Sequence, residues 1–141
     1  MKKILAIFSC MFLFLSVTGC NASKQDGGIM ETSASEVLKK LQRDDNSFLL
    51  FLTTDKCYSC DEYMKMLEKI QEEQVFDIYY VVIDDEDEDK LEELKIITGD
   101  YTDLPMTYYF NKGELSADNI KKSYIEPDQF KEWMNQLGIM K

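Results

Sequence analysis

SFLLFLTTDKCYSCDEYMKMLEKI, residues Ser47–Ile70, reads as a buried strand, a short polar loop and a Cys-x-x-Cys pair opening an amphipathic helix. The continuous apolar run Phe48–Leu52 fits a central strand of a parallel or mixed sheet, covered on both faces. Thr53–Lys56 break that run. From Cys60 onward Tyr63, Met64, Leu67 and Ile70 recur at helical spacing and predict one buried face. Cys57 then falls where a helix begins, among unpaired backbone N–H groups at the positive end of the helix dipole. That environment favours thiolate over thiol, and thiolate is the reactive form.

The remainder of the chain bounds what such a pair can serve. With 141 residues, 45% of them apolar and including 8 Phe, 8 Tyr and 1 Trp, the chain suffices for one packed domain. A formal charge of −11 argues against nucleic acid as a partner, and against a basic patch that would hold anionic lipid. At the start, Lys2 and Lys3 precede the apolar run Ile4–Val17, with small residues at Thr18 and Gly19. This is the charge, core and cleavage pattern of a secretory signal, and the run is short for a membrane span. Val17-Thr18-Gly19-Cys20 resembles a bacterial lipobox, with Val17 where Leu is commonest. Residues 1–19 are therefore expected to be a lipoprotein signal peptide, with Cys20 as the lipid attachment site. Residues 20–32 are polar, contain paired glycines, and are expected to form a flexible tether; 33–141 form the domain. Cys10 leaves with the signal and Cys20 carries lipid, so Cys57 and Cys60 are the thiols of the folded domain. Outside the cytoplasmic membrane a disulfide between them can persist.

Along the domain, Ser33-Ala34-Ser35-Glu36 matches a capping box and predicts a helix from about Ser35 to Arg43. The Cys-x-x-Cys helix is expected to end near Gln74, followed by a strand over Phe76–Ile83, rich in aromatic and β-branched residues. Asp84–Asp89 is unbroken acid. A calcium loop would need glycine where Lys90 stands and a bidentate acid where Ile96 stands, so a solvated loop leading into a helix over Glu88–Ile97 fits better. Pro105 introduces a strand over Met106–Phe110, Asn111-Lys112-Gly113 a hairpin turn, and a less regular strand follows within Glu114–Tyr124. A final helix opens at Pro127, stops before Gly138, and turns Phe130, Trp133, Met134 and Leu137 inward.

Three of these segments, in this order, resemble the thioredoxin family over roughly Ser33–Leu137: Cys57-Tyr58-Ser59-Cys60 after a buried strand, Leu104-Pro105-Met106-Thr107, and Phe110-Asn111-Lys112-Gly113-Glu114. The resemblance implies a thioredoxin-like α/β fold, a central mixed sheet of about four strands flanked by helices. It implies Cys57 as the attacking thiol and Cys60 as the resolving thiol. Pro105, as a cis proline, would pack against the pair, and the backbone of Leu104 would pair with an extended substrate segment. With the signal and lipobox, the chain is similar to small thioredoxin-like lipoproteins and bacteriocin-accessory proteins of Gram-positive bacteria. That likeness implies a monomer at the outer face of the cytoplasmic membrane, without cofactor, acting on exported cysteine-containing proteins or peptides and served by a membrane redox partner. The chain also departs from the family. Lys56 stands where a Trp usually precedes the first Cys; Phe51 stands where a buried acid usually assists proton transfer, and the lysine that often accompanies that acid aligns near Tyr80. There is no histidine to act as a base, and Lys56 is the cation placed to stabilise a Cys57 thiolate.

Other uses of the pair fit less well. Zinc needs about four ligands, and the domain offers two Cys and no His. Met64 and Met66 would suit Cu(I), but their spacing suits packing better. A bridge closing so short a loop constrains little of the unfolded chain, so it is a poor staple. Two readings stay open: a thiol–disulfide oxidoreductase of unassigned direction, and an accessory lipoprotein that uses the fold to bind a peptide or protein partner.

Overall fold

The structure is a computed structural model that describes residues 27–43 and 46–140; the expected signal, most of the expected tether including Cys20, and Lys141 lie outside the described residues. The elements run β1 (Ile29–Glu31), α1 (Ala34–Leu41), β2 (Phe48–Thr53), α2 (Tyr58–Glu73), β3 (Ile78–Val82), α3 (Glu88–Thr98), β4 (Met106–Phe110), β5 (Ile120–Lys122) and α4 (Pro127–Gln136). Single 3₁₀ turns precede α3 and β5, at Ile83–Asp85 and Ala117–Asn119. The sheet order is β1-β3-β2-β4-β5, with β1, β3 and β2 parallel and β4 and β5 antiparallel to their neighbours. The expected mixed α/β sheet is present, with a fifth strand added.

That strand is built from residues expected to be tether. Ile29, Met30 and Glu31 pair with Ile78, Tyr79 and Tyr80, and the Thr32 N–H reaches the Tyr80 carbonyl at 2.9 Å. Gly27 permits the approach: a Cβ there would stand 2.7 Å from the Phe76 carbonyl oxygen, closer than packed atoms come. The Gly28 N–H then binds the Asp77 carboxylate at 3.0 Å. β3 starts at Ile78, two residues later than Phe76, because Phe76 and Asp77 receive this incoming chain.

β2 has partners on both edges and cover on both faces. Leu49 and Phe51 point into a core with Cys60, Tyr63, Leu67 and Ile70 of α2 and Phe130, Trp133 and Met134 of α4. Phe48, Leu50 and Leu52 point into the opposite core with Ala34 and Val37 of α1, Leu94 of α3, and Tyr108 and Phe110 of β4. The run is continuous because alternate residues serve opposite cores. On α2 the stripe is Cys60, Tyr63, Met66, Leu67 and Ile70; Met66 is buried and Met64 half-buried, so both methionines are packing residues.

The helix ends follow local chemistry. α1 begins one residue earlier than expected, since Ser33 Oγ accepts the Glu36 N–H at 3.2 Å, while the Glu36 carboxylate pairs with Lys39 rather than closing the box. Lys112 and Gly113 both have positive φ, 52° and 78°, in the hairpin turn between the Asn111 and Glu114 bridge partners. That handedness matches a tight hairpin and favours glycine at the second position. Among the described residues, no helix is long and apolar enough to cross a membrane.

Docking of β1 through Gly27 gives a direct test. Gly27→Ala should cost about 1–3 kcal/mol from overpacking, read by urea denaturation, and should speed hydrogen exchange at the Thr32 amide while β2 amides keep their protection. Unchanged exchange at Thr32 would mean that β1 is not held by this contact.

Candidate active site

The site is assembled where β2 ends and β4 begins. β2 and β4 are antiparallel with Leu52 opposite Met106, so the C-terminal end of β2, which leads to Cys57, lies beside the N-terminal end of β4, which follows Pro105. The Leu104–Pro105 peptide bond is cis; Pro105 is buried, and Leu104 is half-buried against both cores.

Between Thr53 and Cys57 the loop is tied to the acidic run. Thr54 Oγ1 donates to the Asp84 carboxylate, and the Asp55 N–H donates to the same oxygen at 2.9 Å. These two bonds, the hydroxyl first, hold the Asp84 carboxyl below its ordinary range, with the Lys56 charge adding to them and desolvation opposing. Asp84 is thus a latch on the loop that delivers Cys57. Asp87 sits at the N-cap of α3, and Glu88 and Asp89 lie in its first turn, where negative charge suits the helix dipole. Among the described residues, no three Cys, Asp or Glu side chains gather as a metal site.

Cys57 is the N-cap of α2, with extended backbone at φ −116° and ψ 100°. Its Sγ accepts the Cys60 N–H at 3.1 Å, and its carbonyl accepts the Cys60 and Asp61 N–H groups at 3.0 and 3.1 Å. Cys57 and Cys60 form a disulfide, their Cα atoms 5.1 Å apart. The two sulfurs live in different surroundings. Cys57 is half-buried, with Ser59 Oγ 3.3 Å from its sulfur; Cys60 is 1% exposed, inside the α2–α4 core. Around Cys57 the surface is open: Asp55, Lys56 and Asp61 are exposed, and Tyr58 is 79% exposed. An incoming sulfur can therefore reach Cys57 and is kept from Cys60.

Phe51 and Tyr80 prove to be cross-strand neighbours on β2 and β3. Phe51 is fully buried; Tyr80 is half-buried, and its hydroxyl donates to Glu31 at 3.0 Å. Tyr63 shares the core of Cys60, and its hydroxyl accepts the Thr107 hydroxyl at 2.9 Å; the buried Trp133 Nε1–H of that core has no partner among the described residues. Neither the Tyr63–Thr107 pair nor the Asp84 latch is visible in the sequence. A hint existed for each: Tyr63 lies one turn from Cys60, and Asp84 stands two residues past the strand beside β2, but only tertiary register joins them to Thr107 and Thr54.

Compared as structure, the molecule is similar to three thioredoxins. Those of Trypanosoma brucei brucei (TM-score 0.61, 13% identity, 82% of this chain and 95% of that one) and Chlamydomonas reinhardtii, thioredoxin f2 (0.61, 16%, 81% and 100%), superpose over nearly their full length. So does that of Malassezia sympodialis, described as a member of a pan-allergen family (0.59, 16%, 78% and 90%). The chain has the thioredoxin fold. Compared as sequence, it matches no family model and no curated protein. The likeness is thus one of architecture, and the thioredoxin fold here carries its own residues at Phe51, Lys56 and Tyr80.

The Asp84 latch has a pH signature. Because the folded carboxyl titrates below its ordinary value of 3.8, its stabilising contribution is complete above that value and is lost as pH falls through the depressed one. Wild type should therefore be more stable than Asp84→Asn near neutrality, with the difference shrinking in urea titrations as pH falls below 3.8. A difference independent of pH would show that the carboxylate charge does not hold the loop.

Proposed function

We propose that this protein is a thiol–disulfide oxidoreductase of the bacterial cell envelope, held at the outer face of the cytoplasmic membrane by lipid on Cys20. One observation carries the chemistry: an accessible sulfur that accepts the Cys60 N–H at the head of α2 stands next to a shielded sulfur at the tip of a thioredoxin fold. Helix N–H groups and the dipole stabilise negative charge on Cys57, so it is both the better nucleophile at neutral pH and the better leaving sulfur.

The dithiol form works as follows. The Cys57 thiolate attacks a disulfide sulfur of the substrate, that disulfide breaks, and a Cys57–substrate mixed disulfide forms. Cys60 then attacks Cys57 Sγ, the Cys57–Cys60 bond forms, and the substrate leaves as a thiol with both electrons. Run in reverse, a substrate thiolate attacks Cys57 of the disulfide form and leaves oxidised. Leu104, half-buried at the start of the Pro105 segment, offers main chain beside the disulfide to an extended substrate. Lys56 adds a cation next to Cys57. The exposed surroundings of Cys57 suit a polypeptide substrate, namely exported cysteine-containing proteins or peptides, with a membrane redox partner to renew the pair. The chain would act as a monomer.

The signal and lipobox support the location, and the absence of histidine and of a usual buried acid supports a version of the site with altered proton handling. If the fold served only to hold a partner, the cysteines would be dispensable. Cys60→Ser in cells should accumulate mixed disulfides through Cys57 with one or a few exported proteins, seen by thiol trapping and non-reducing electrophoresis. Capture of none, together with wild-type behaviour of Cys57→Ser/Cys60→Ser, would leave partner binding as the function. Labelled fatty acid should enter the wild-type protein and be absent from Cys20→Ala; equal label in both would remove the lipid anchor from this reading.

A further inference from the structure

The strands give the molecule two ends. β1, β3 and β2 run parallel, so Ile29, Ile78 and Phe48 start at one end of the sheet, and β2 leads from there to Cys57 at the other. The first end also holds the hairpin turn: the Lys112 N–H donates to Ser47 Oγ at 2.9 Å and the Gly113 N–H to the Asn46 carbonyl at 3.0 Å. The disulfide and Pro105 stand at the second end.

The chain enters at the first end and is pinned there. The Ile78 N–H donates to the Gly28 carbonyl and the Gly28 N–H to Asp77, both at 3.0 Å, where β1 begins to pair with β3. Docking of β1 takes residues 27–32 out of the expected tether and leaves residues 20–26 between the lipid site and the domain. Those seven residues reach about 25 Å at full extension. A domain of this size is about 35 Å across. To lay the disulfide on the membrane, the chain would have to run back along the whole domain, and it is too short. A domain lying on its side would still keep the disulfide about half its width, ~17 Å, from the lipid.

Charge acts in the same sense. At the disulfide end Asp55, Asp61, Asp84, Asp85 and Asp103 are exposed against Lys56 and Lys122. The Gly27 end mixes Arg43 and Lys112 with Asp77 and Glu114. Within a Debye length, about 8 Å, an anionic lipid surface repels the first set and meets both signs in the second.

We propose that the anchored domain stands with its Gly27 end toward the membrane and its Cys57–Cys60 disulfide facing outward, where it exchanges with polypeptides beyond the lipid surface and not with thiols or disulfides at that surface. The inference rests on the proposed anchor at Cys20 and on the oxidoreductase reading, and adds a direction to both. It also sets a requirement on the membrane redox partner, whose cysteines must stand on a domain that rises clear of the lipid.

The test places the protein with its own anchor, isolated from membranes, in vesicles of phosphatidylcholine and phosphatidylglycerol that carry an acceptor dye on a trace lipid. A donor dye sits on Cys57 of Cys60→Ser, or at residue 112 of Lys112→Cys combined with Cys57→Ser and Cys60→Ser. Energy transfer should be greater from residue 112 than from Cys57. A flexible Gly-Ser insertion of about 15 residues between Ser23 and Lys24 should bring the two values together. In the same vesicles the reduced protein meets a disulfide peptide, free in solution or linked directly to a lipid headgroup. In either exchange the dithiol closes to the Cys57–Cys60 disulfide and passes two electrons and two protons to the peptide. The free peptide should react with both proteins. The lipid-linked one should react with the insertion variant, and with wild type about tenfold more slowly or less, as where a tether cannot span two sites. Transfer from Cys57 equal to or above that from residue 112, or equal reaction of wild type and insertion variant with the lipid-linked peptide, overturns the inference. Protein that fails to float with the vesicles removes the anchor, and the inference with it. If wild type leaves the free peptide intact, the oxidoreductase reading fails, while energy transfer, which needs no reaction, still decides the orientation.

Discussion

Burial of β2 on both faces is the constraint on which the remaining structure depends. Five apolar residues in succession have no stable place at a surface, so Phe48–Leu52 require helices on both sides and strands on both edges. The pairing with β4 follows, and that pairing brings the Pro105 segment to the strand end from which Cys57 emerges. A slip of this register by one residue would exchange Phe51 and Leu50 between cores and carry Thr107 away from Tyr63.

The chemistry of the site is an asymmetry imposed on two identical side chains. Cys57 stands at the head of a helix with the Cys60 N–H directed at its sulfur and solvent beside it, while Cys60, three residues on, faces a core of aromatic rings. Helix periodicity alone produces the difference: the cap position is half in the helix and half in the loop, and the residue three later begins the buried stripe. The Asp84 latch acts on the same geometry from outside, holding the loop that brings Cys57 to the helix end.

Much of this was legible beforehand, for identifiable reasons. The long apolar run, the cap signals at Ser33 and Pro127, and the Asn111-Lys112-Gly113 turn are local features whose physics acts within a few residues. β1 was not legible. Ile29-Met30-Glu31 is too short to show a period, and what holds it is the close backbone passage at Gly27 and the register with β3. Met66 lies outside the strict helical set of Tyr63, Met64, Leu67 and Ile70, yet it is buried in the core shared by α2 and α4. At the site, Cys57, Cys60 and Pro105 announced themselves through spacing and the likeness to thioredoxins. The Asp84 and Thr107 contacts join segments 29 or more residues apart, and no short-range pattern encodes them.

The central claim is that position at the head of α2 makes Cys57 the reactive sulfur. Its most direct measurement is the pH dependence of Cys57 alkylation in the reduced protein, resolved from Cys60 by peptide mass spectrometry. The account predicts a midpoint clearly below the ~8.5 of a free cysteine, with Cys60 reacting far more slowly at every pH. A Cys57 midpoint at or above that value, or Cys60 reacting first, would contradict it.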